Sequence, residues 1–135
     1  MYLLDTNVVS ELRRARPHPS VLAWIRDVPA GDLHVSAVTI GEIQAGIEVT
    51  RAQDPAKADE LEAWLSARVM GGFDILPVDA AAFREWARLM HGRSDTLVLD
   101  AMIAAVAIVH RLTVVTRNVR DFEELGVAVV DPGAG

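Results

Sequence analysis

The chain has 135 residues, enough for one domain with a full core, and its 51% hydrophobic and 24% charged content excludes a disordered chain. The absence of cysteine excludes disulfides, zinc–thiolate sites and thiol nucleophiles, and fits a reducing, cytoplasmic setting. A net charge of -6 excludes a generally basic surface, so nucleic acid would have to meet a local patch.

Met1 to Leu4 is a short apolar run that reads as a buried strand. It has no basic region or small-residue cleavage site, so no signal peptide is expected, and no stretch is long enough to cross a membrane. Asp5-Thr6-Asn7 follows and leads into a helix with Val8, Val9 and Leu12 at helical spacing. Asp5 therefore lies at the C-terminal end of the first strand, where open parallel sheets build their sites. Taken alone, it serves equally well as a helix cap. Arg13, Arg14 and Arg16 form a basic knot before Pro17. That knot suits either a solvated helix end or a patch for substrate phosphates. Ser20 to Val28 reads as a helix capped by Ser20 and packed through Val21, Trp24 and Ile25.

Leu33 to Ser36 alternates as a short strand. Ala37 to Val49 is helical, with Ile40, Ile43 and Ile47 as its core stripe. Glu42 lies off that stripe beside Gly41, Ala45 and Gly46, small residues that let a backbone or substrate approach. Gln44 has no evident role. Arg51 to Pro55 is a polar break, and Ala56 to Val69 an amphipathic helix with Leu61, Trp64, Leu65 and Arg68 along one face. Gly71-Gly72 closes it, and Phe73 to Pro77 reads as a strand. Ala80 to Met90 is a helix whose face carries Phe83, Trp86, Ala87 and Met90; the tryptophans and Phe83 read as core or dimer contacts.

Leu97 to Val109 is apolar at twelve of thirteen positions, and the exception is Asp100. A helix apolar on every side belongs in a core. A carboxylate there is costly unless it is paired, hydrogen-bonded or bound to a metal. Ser94, Asp95 or Thr96 is the expected N-cap of this helix; Asp95 points about 140° away from Asp100 on a helix and reads as a cap, not as its partner. His110-Arg111 makes a turn, Thr113 to Thr116 a β-branched strand, Arg117 to Phe122 a turn with a short helix, and Val127 to Val130 the last strand. His18, His34, His91 and His110 lack close metal-ligand spacing. Strands alternate with helices and no repeat is present. The chain thus reads as one three-layer α/β domain over 1–135, with a central, mainly parallel sheet of about five strands flanked by helices.

In a parallel sheet Asp5, Glu42, Asp100 and the Asn118/Asp121 turn fall at one edge. Carboxylates gathered there cannot all stay ionised without a cation. Oxygen donors without Cys or His suit a hard ion, Mg²⁺ or Mn²⁺, and the matching chemistry is metal-assisted phosphodiester hydrolysis by water.

LLDTNVVSEL at 3–12, SAVTIGEIQAGI at 36–47, LDAMIAAVAIVHRLTVVTRNVRDF at 99–122 and the closing VAVVDP resemble the PIN-domain ribonuclease toxins of the VapC type, in the FitB-like branch. The resemblance covers the whole chain in order. It implies a cytoplasmic, Mg²⁺- or Mn²⁺-dependent endoribonuclease, the toxin of a type II toxin–antitoxin pair. It also implies a homodimer and a cognate DNA-binding antitoxin that inserts a basic side chain into the acidic pocket. By position, Asp5 and Asp100 match the principal metal ligands and Glu42 the third catalytic acid. Asn7, Thr116, Asn118 and Asp121 are supporting residues, with Thr116 expected to hydrogen-bond the carboxylates. Many members carry Asp where this chain has Asn118, which can offer a carbonyl or hold a water but brings no charge. Asp121 is the alternative fourth acid.

Two other readings compete. An aspartyl-phosphate phosphatase wants a second Asp two residues after Asp5, where this chain has Asn7. A catalytically degenerate PIN scaffold, acting only as a protein-binding partner, finds support in Asn118 alone.

Overall fold

The structure, a computed structural model, describes residues 1–134. Five strands, β1 (Tyr2–Leu4), β2 (Leu33–Ser36), β3 (Asp74–Leu76), β4 (Thr113–Val115) and β5 (Val129–Val130), form one sheet in the order β3-β2-β1-β4-β5. Every neighbouring pair is parallel. The mainly parallel sheet expected from the sequence is thus parallel throughout. Between the strands run α1 (Thr6–Glu11), α2 (Pro19–Asp27), α3 (Ala37–Arg51), α4 (Pro55–Trp64), α5 (Ala80–Met90), α6 (Val98–His110) and α7 (Val119–Glu124).

Successive strand residues face opposite sides of a sheet. Leu3 and Val114 enter one apolar cluster with Ile103, Ala104, Ala107 and Phe122. Their neighbours Leu4 and Val115 enter the other, with Val8, Val9, Val35, Ile47 and Leu65. Helices therefore cover both faces, which is the three-layer arrangement. Alanines at 101, 104, 105 and 107, all fully buried, let α6 lie close against the sheet. That helix is not buried all round as its composition suggests, because Leu99 is 46% exposed on its first turn.

Several local details differ from the sequence reading. His18, not Ser20, caps α2: its ring accepts the Ser20 N–H at 3.2 Å, and Pro19 opens the helix. Of the three cap candidates before α6, Ser94 serves and Asp95 does not. Ser94 accepts the Thr96 N–H at 3.3 Å and caps the 3₁₀ turn Asp95–Leu97, while α6 itself starts after Leu97 without a side-chain cap. Helix α3 runs on to Arg51, which pairs with Glu48, Asp59 and Glu62, so the expected polar break is a joint between α3 and α4. Gln44 donates to Glu48 and Glu62 in the same joint. The helix begun at α4 changes to π-helix over Leu65–Met70 before Gly71. On α5, Trp86 and Met90 pack inward as expected, together with Ala82 and Leu89, while Phe83 turns outward, 46% exposed.

The chain leaves β1 towards β2 on one side and reaches β4 on the other, so β1 and β4 flank the switch point of the sheet. In such sheets, ligands bind outside the carboxyl ends of the strands at this point. Asp5 and Thr116 are the first residues beyond β1 and β4, and the Asp5 N–H still donates to the Val115 carbonyl at 2.9 Å.

Phe122 anchors α7 in the core at zero exposure. Phe122→Ala is expected to lower stability by about 3–5 kcal/mol, measured as the shift of the urea unfolding midpoint at constant slope.

Candidate active site

Asp5 is 5% exposed and spends both oxygens on its surroundings. Oδ1 accepts the Thr6 N–H at 2.7 Å, and Oδ2 accepts the Thr116 hydroxyl at 2.8 Å. Asp5 is thus the N-cap of α1, and the cap bond also fixes the carboxylate beside Glu42 and Asp100. Thr116 in turn accepts the Asn118 N–H at 2.9 Å and the Asn7 amide at 3.5 Å. The Asn7 carbonyl oxygen accepts the Arg117 N–H at 3.4 Å. The loops after β1 and β4 are thus stitched together by the side chains of Asp5, Asn7 and Thr116.

Glu42 lies in the second turn of α3, and its Oε1 accepts the Thr6 hydroxyl at 2.9 Å. Thr6 also hydrogen-bonds Thr39, a fully buried hydroxyl one turn before Glu42. Asp100 stands in the first turn of α6, where the positive end of the helix dipole favours an acid. The Asn118 amide donates to Asp121 Oδ2 at 2.9 Å and to Asp100 Oδ2 at 3.4 Å. Asn118 therefore bridges two carboxylates as a donor, which a fourth aspartate could not do.

Electrostatics confirm the crowding. Burial, then the nearby Glu42, push the Asp5 carboxyl up, against the two hydrogen bonds it accepts. Burial and Asp100 push Glu42 up, against the Thr6 hydroxyl. Burial, Asp5 and Asp121 push Asp100 up to about 6. Asp5, Glu42 and Asp100 thus form one mutually repelling set, with Asp121 at its margin.

The donors are all oxygen, the set that suits a hard divalent cation. Among the described residues, no three acidic or histidine side chains converge as a ready-made metal cage. Hard ions of the Mg²⁺ type commonly take one or two carboxylates and complete their shell with water and phosphate oxygens, and the oxygen donors here are compatible with that.

Of the three arginines, Arg13 borders a cleft of about 220 Å³ that is also lined by Thr6 and Glu42. Arg14 instead lies 3.7 Å from Glu11, and Arg16 is exposed without an ion pair among the described residues. The sequence reading missed Thr6, Thr39 and Glu11. Glu11 is 4% exposed, accepts the His18 N–H at 2.7 Å and lies 3.6 Å from Arg117. Only the hydroxyl of D-T-N could have signalled Thr6; Glu11 sits in a run that looks like an ordinary helix end.

The family model described as "PIN domain" matches residues 2–128. VapC ribonuclease Y4jK of Sinorhizobium fredii is 36% identical, covering 98% of this chain and 97% of its own. Toxin FitB of Neisseria gonorrhoeae is 35% identical, covering 98% of each chain. A solved structure of FitAB bound to an IR36 DNA fragment superposes with a TM-score of 0.86 at 32% identity, covering 98% of this chain and 96% of that one.

A raised carboxyl pKa is a stability cost with a definite pH window. Asp100 ionises at its ordinary 3.8 when unfolded and near 6 when folded, so the cost is absent below 3.8, grows towards 6 and is full above it. In metal-free protein, Asp100→Asn is expected to add about 1–2 kcal/mol at pH 7.5, after discounting for solvent screening. The gain should fade as pH drops to 4, as followed by urea unfolding in EDTA.

Proposed function

The chain belongs to the PIN-domain family, and from that premise we propose that it is the endoribonuclease toxin of a toxin–antitoxin pair. It hydrolyses RNA phosphodiester bonds with Mg²⁺ or Mn²⁺ as cofactor. The observation that carries this reading is the mutually repelling set Asp5, Glu42 and Asp100 at the switch point of a parallel sheet.

Asp5 and Asp100 are the residues that would hold the cation. The bound ion supplies a Lewis acid that lowers the pKa of water and offsets charge on the scissile phosphate. Asp5 is locked in one orientation by the Thr6 N–H and the Thr116 hydroxyl. Glu42 is held at Oε1 by Thr6, which leaves Oε2 to take a proton from the attacking water. Asn118 keeps Asp100 and Asp121 apart while neutralising neither. Asp121 then acts as a supporting acid in place of the aspartate that many members carry at 118. Arg13, beside Glu42, guides substrate phosphates, with Arg14 and Arg16 farther along the same segment.

The partners in this reading are RNA and a cognate antitoxin. The structural relative FitAB is bound to DNA, and the division of labour proposed for this chain leaves DNA contact to the antitoxin. A net charge of -6 suits that division. An acidic pocket whose carboxylates resist ionisation is also a good receptor for an antitoxin arginine. The chain acts in the cytoplasm as a single domain that pairs as a homodimer, for which outward-facing Phe83 and Leu99 offer apolar area. No described helix is long and apolar enough to cross a membrane.

Purified protein freed of its partner should cleave RNA with Mg²⁺ or Mn²⁺ and stop in EDTA. Asp5→Ala and Asp100→Ala should each lose about 10²–10⁴-fold in rate, and Thr116→Val about 10–100-fold, in a gel-based cleavage assay with folding checked by circular dichroism. Full activity in either carboxylate variant would contradict the mechanism.

A further inference from the structure

A larger cavity of about 540 Å³ lies between the end of α1 and the α4–π-helix segment, within the usual range for ligand pockets. Its walls carry two half-buried aromatic rings, Trp64 and Phe73, and three exposed cations, Arg13, Lys57 and Arg68. Glu60 is the single acid among the lining residues. Such an excess of positive charge is notable on a chain of net charge -6.

Two of the three cations are not consumed by ion pairs among the described residues. Arg51 on the neighbouring joint is tied to three carboxylates, and Lys57 lies 3.3 Å from Glu60. Arg13 and Arg68 make no ion pair among the described residues. The cavity also adjoins the candidate active site: Arg13 and Leu61 line both it and the smaller cleft that holds Thr6 and Glu42. Finally, Arg68 and Val69 line the cavity from the π-helical stretch, a winding that is frequent at functional sites.

Aromatic faces beside two unpaired arginines, next to a catalytic cleft, match a single-stranded nucleic acid: bases stack on rings while phosphates meet the cations. We propose that this cavity is a subsite for an unpaired base of the RNA substrate and its flanking phosphates, and that it sets which single-stranded segment enters the cleft. The inference rests on the ribonuclease reading above. It also revises the role of Trp64, which here is both a core residue and the wall of a binding site.

The test measures binding separately from cleavage. An Asp100→Asn protein is titrated with a fluorescently labelled single-stranded RNA oligonucleotide at several salt concentrations. Adding Arg68→Glu should weaken binding about tenfold and lower the slope of log Kd against log salt by about one. Adding Trp64→Leu should weaken binding about 5- to 100-fold with the slope unchanged. Arg88→Glu, on α5, should change neither. Unchanged affinity in folded Arg68→Glu and Trp64→Leu proteins would overturn the proposal, as would equal loss in Arg88→Glu or no RNA binding at all. Loss of antitoxin capture with RNA binding intact would also overturn it, assigning the cavity to a protein partner. Cleavage by the Asp100-containing protein is assayed in parallel. Cavity-dependent binding without cleavage sinks only the ribonuclease reading, and cleavage without cavity dependence sinks only the subsite.

Discussion

Asp5, Glu42, Asp100 and Asp121 come from four separate segments, yet the fold brings them to one edge of the sheet, where each of the first three resists ionisation. This repulsion is the constraint around which the neighbouring structure is organised. Hydroxyl and amide donors from Thr6, Thr116 and Asn118 hold the carboxylates in place without supplying the charge that would relieve them. A well-packed apolar core sets the positions: α6 is buried through five consecutive residues, Ile103 to Ala107, and cannot rotate Asp100 away. Native proteins keep such local strain where it serves function. Here the unmet need is positive charge, which a divalent cation, a substrate-bound ion or a partner's arginine can each supply.

The donors also show what an amide at 118 does to the acidic edge. An aspartate there would add another like charge beside Asp100 and Asp121. Asn118 instead donates to both, lowering their mutual repulsion while leaving the total acidity smaller. In the proposed reading this favours a site for one firmly held ion, with Asp5 and Asp100 as its proposed ligands.

Much of this was legible in the sequence because it depended on local pattern. The apolar run at 1–4, the β-branched run at 113–116, the helical stripe through Ile40, Ile43 and Ile47, and the placement of Asp5 after the first strand all follow from periodicity and chain order. What escaped was decided by distant partners. The Thr6–Glu42 bond joins residues 36 apart and the Thr116–Asp5 bond residues 111 apart, so neither leaves a local signature. Glu11 looks like a solvated helix end, but the strand-edge loop carrying Arg117 folds over it. Asp95 and Ser94 are both good caps, and only the backbone decides between them. On α5 the apolar stripe is wide enough to be read in two phases, and packing against α6 selects the one that leaves Phe83 outside.

The central claim is that the acidic edge is short of positive charge and that Asp100 carries much of that deficit. The most direct measurement is the thermal unfolding midpoint of metal-stripped protein at pH 7.5, followed as Mn²⁺ is added. Binding to the folded state alone raises the midpoint with the logarithm of ion concentration. The account predicts such a rise in the native protein and a much smaller one in Asp100→Asn. No rise in the native protein, or an equal rise in both, would contradict it.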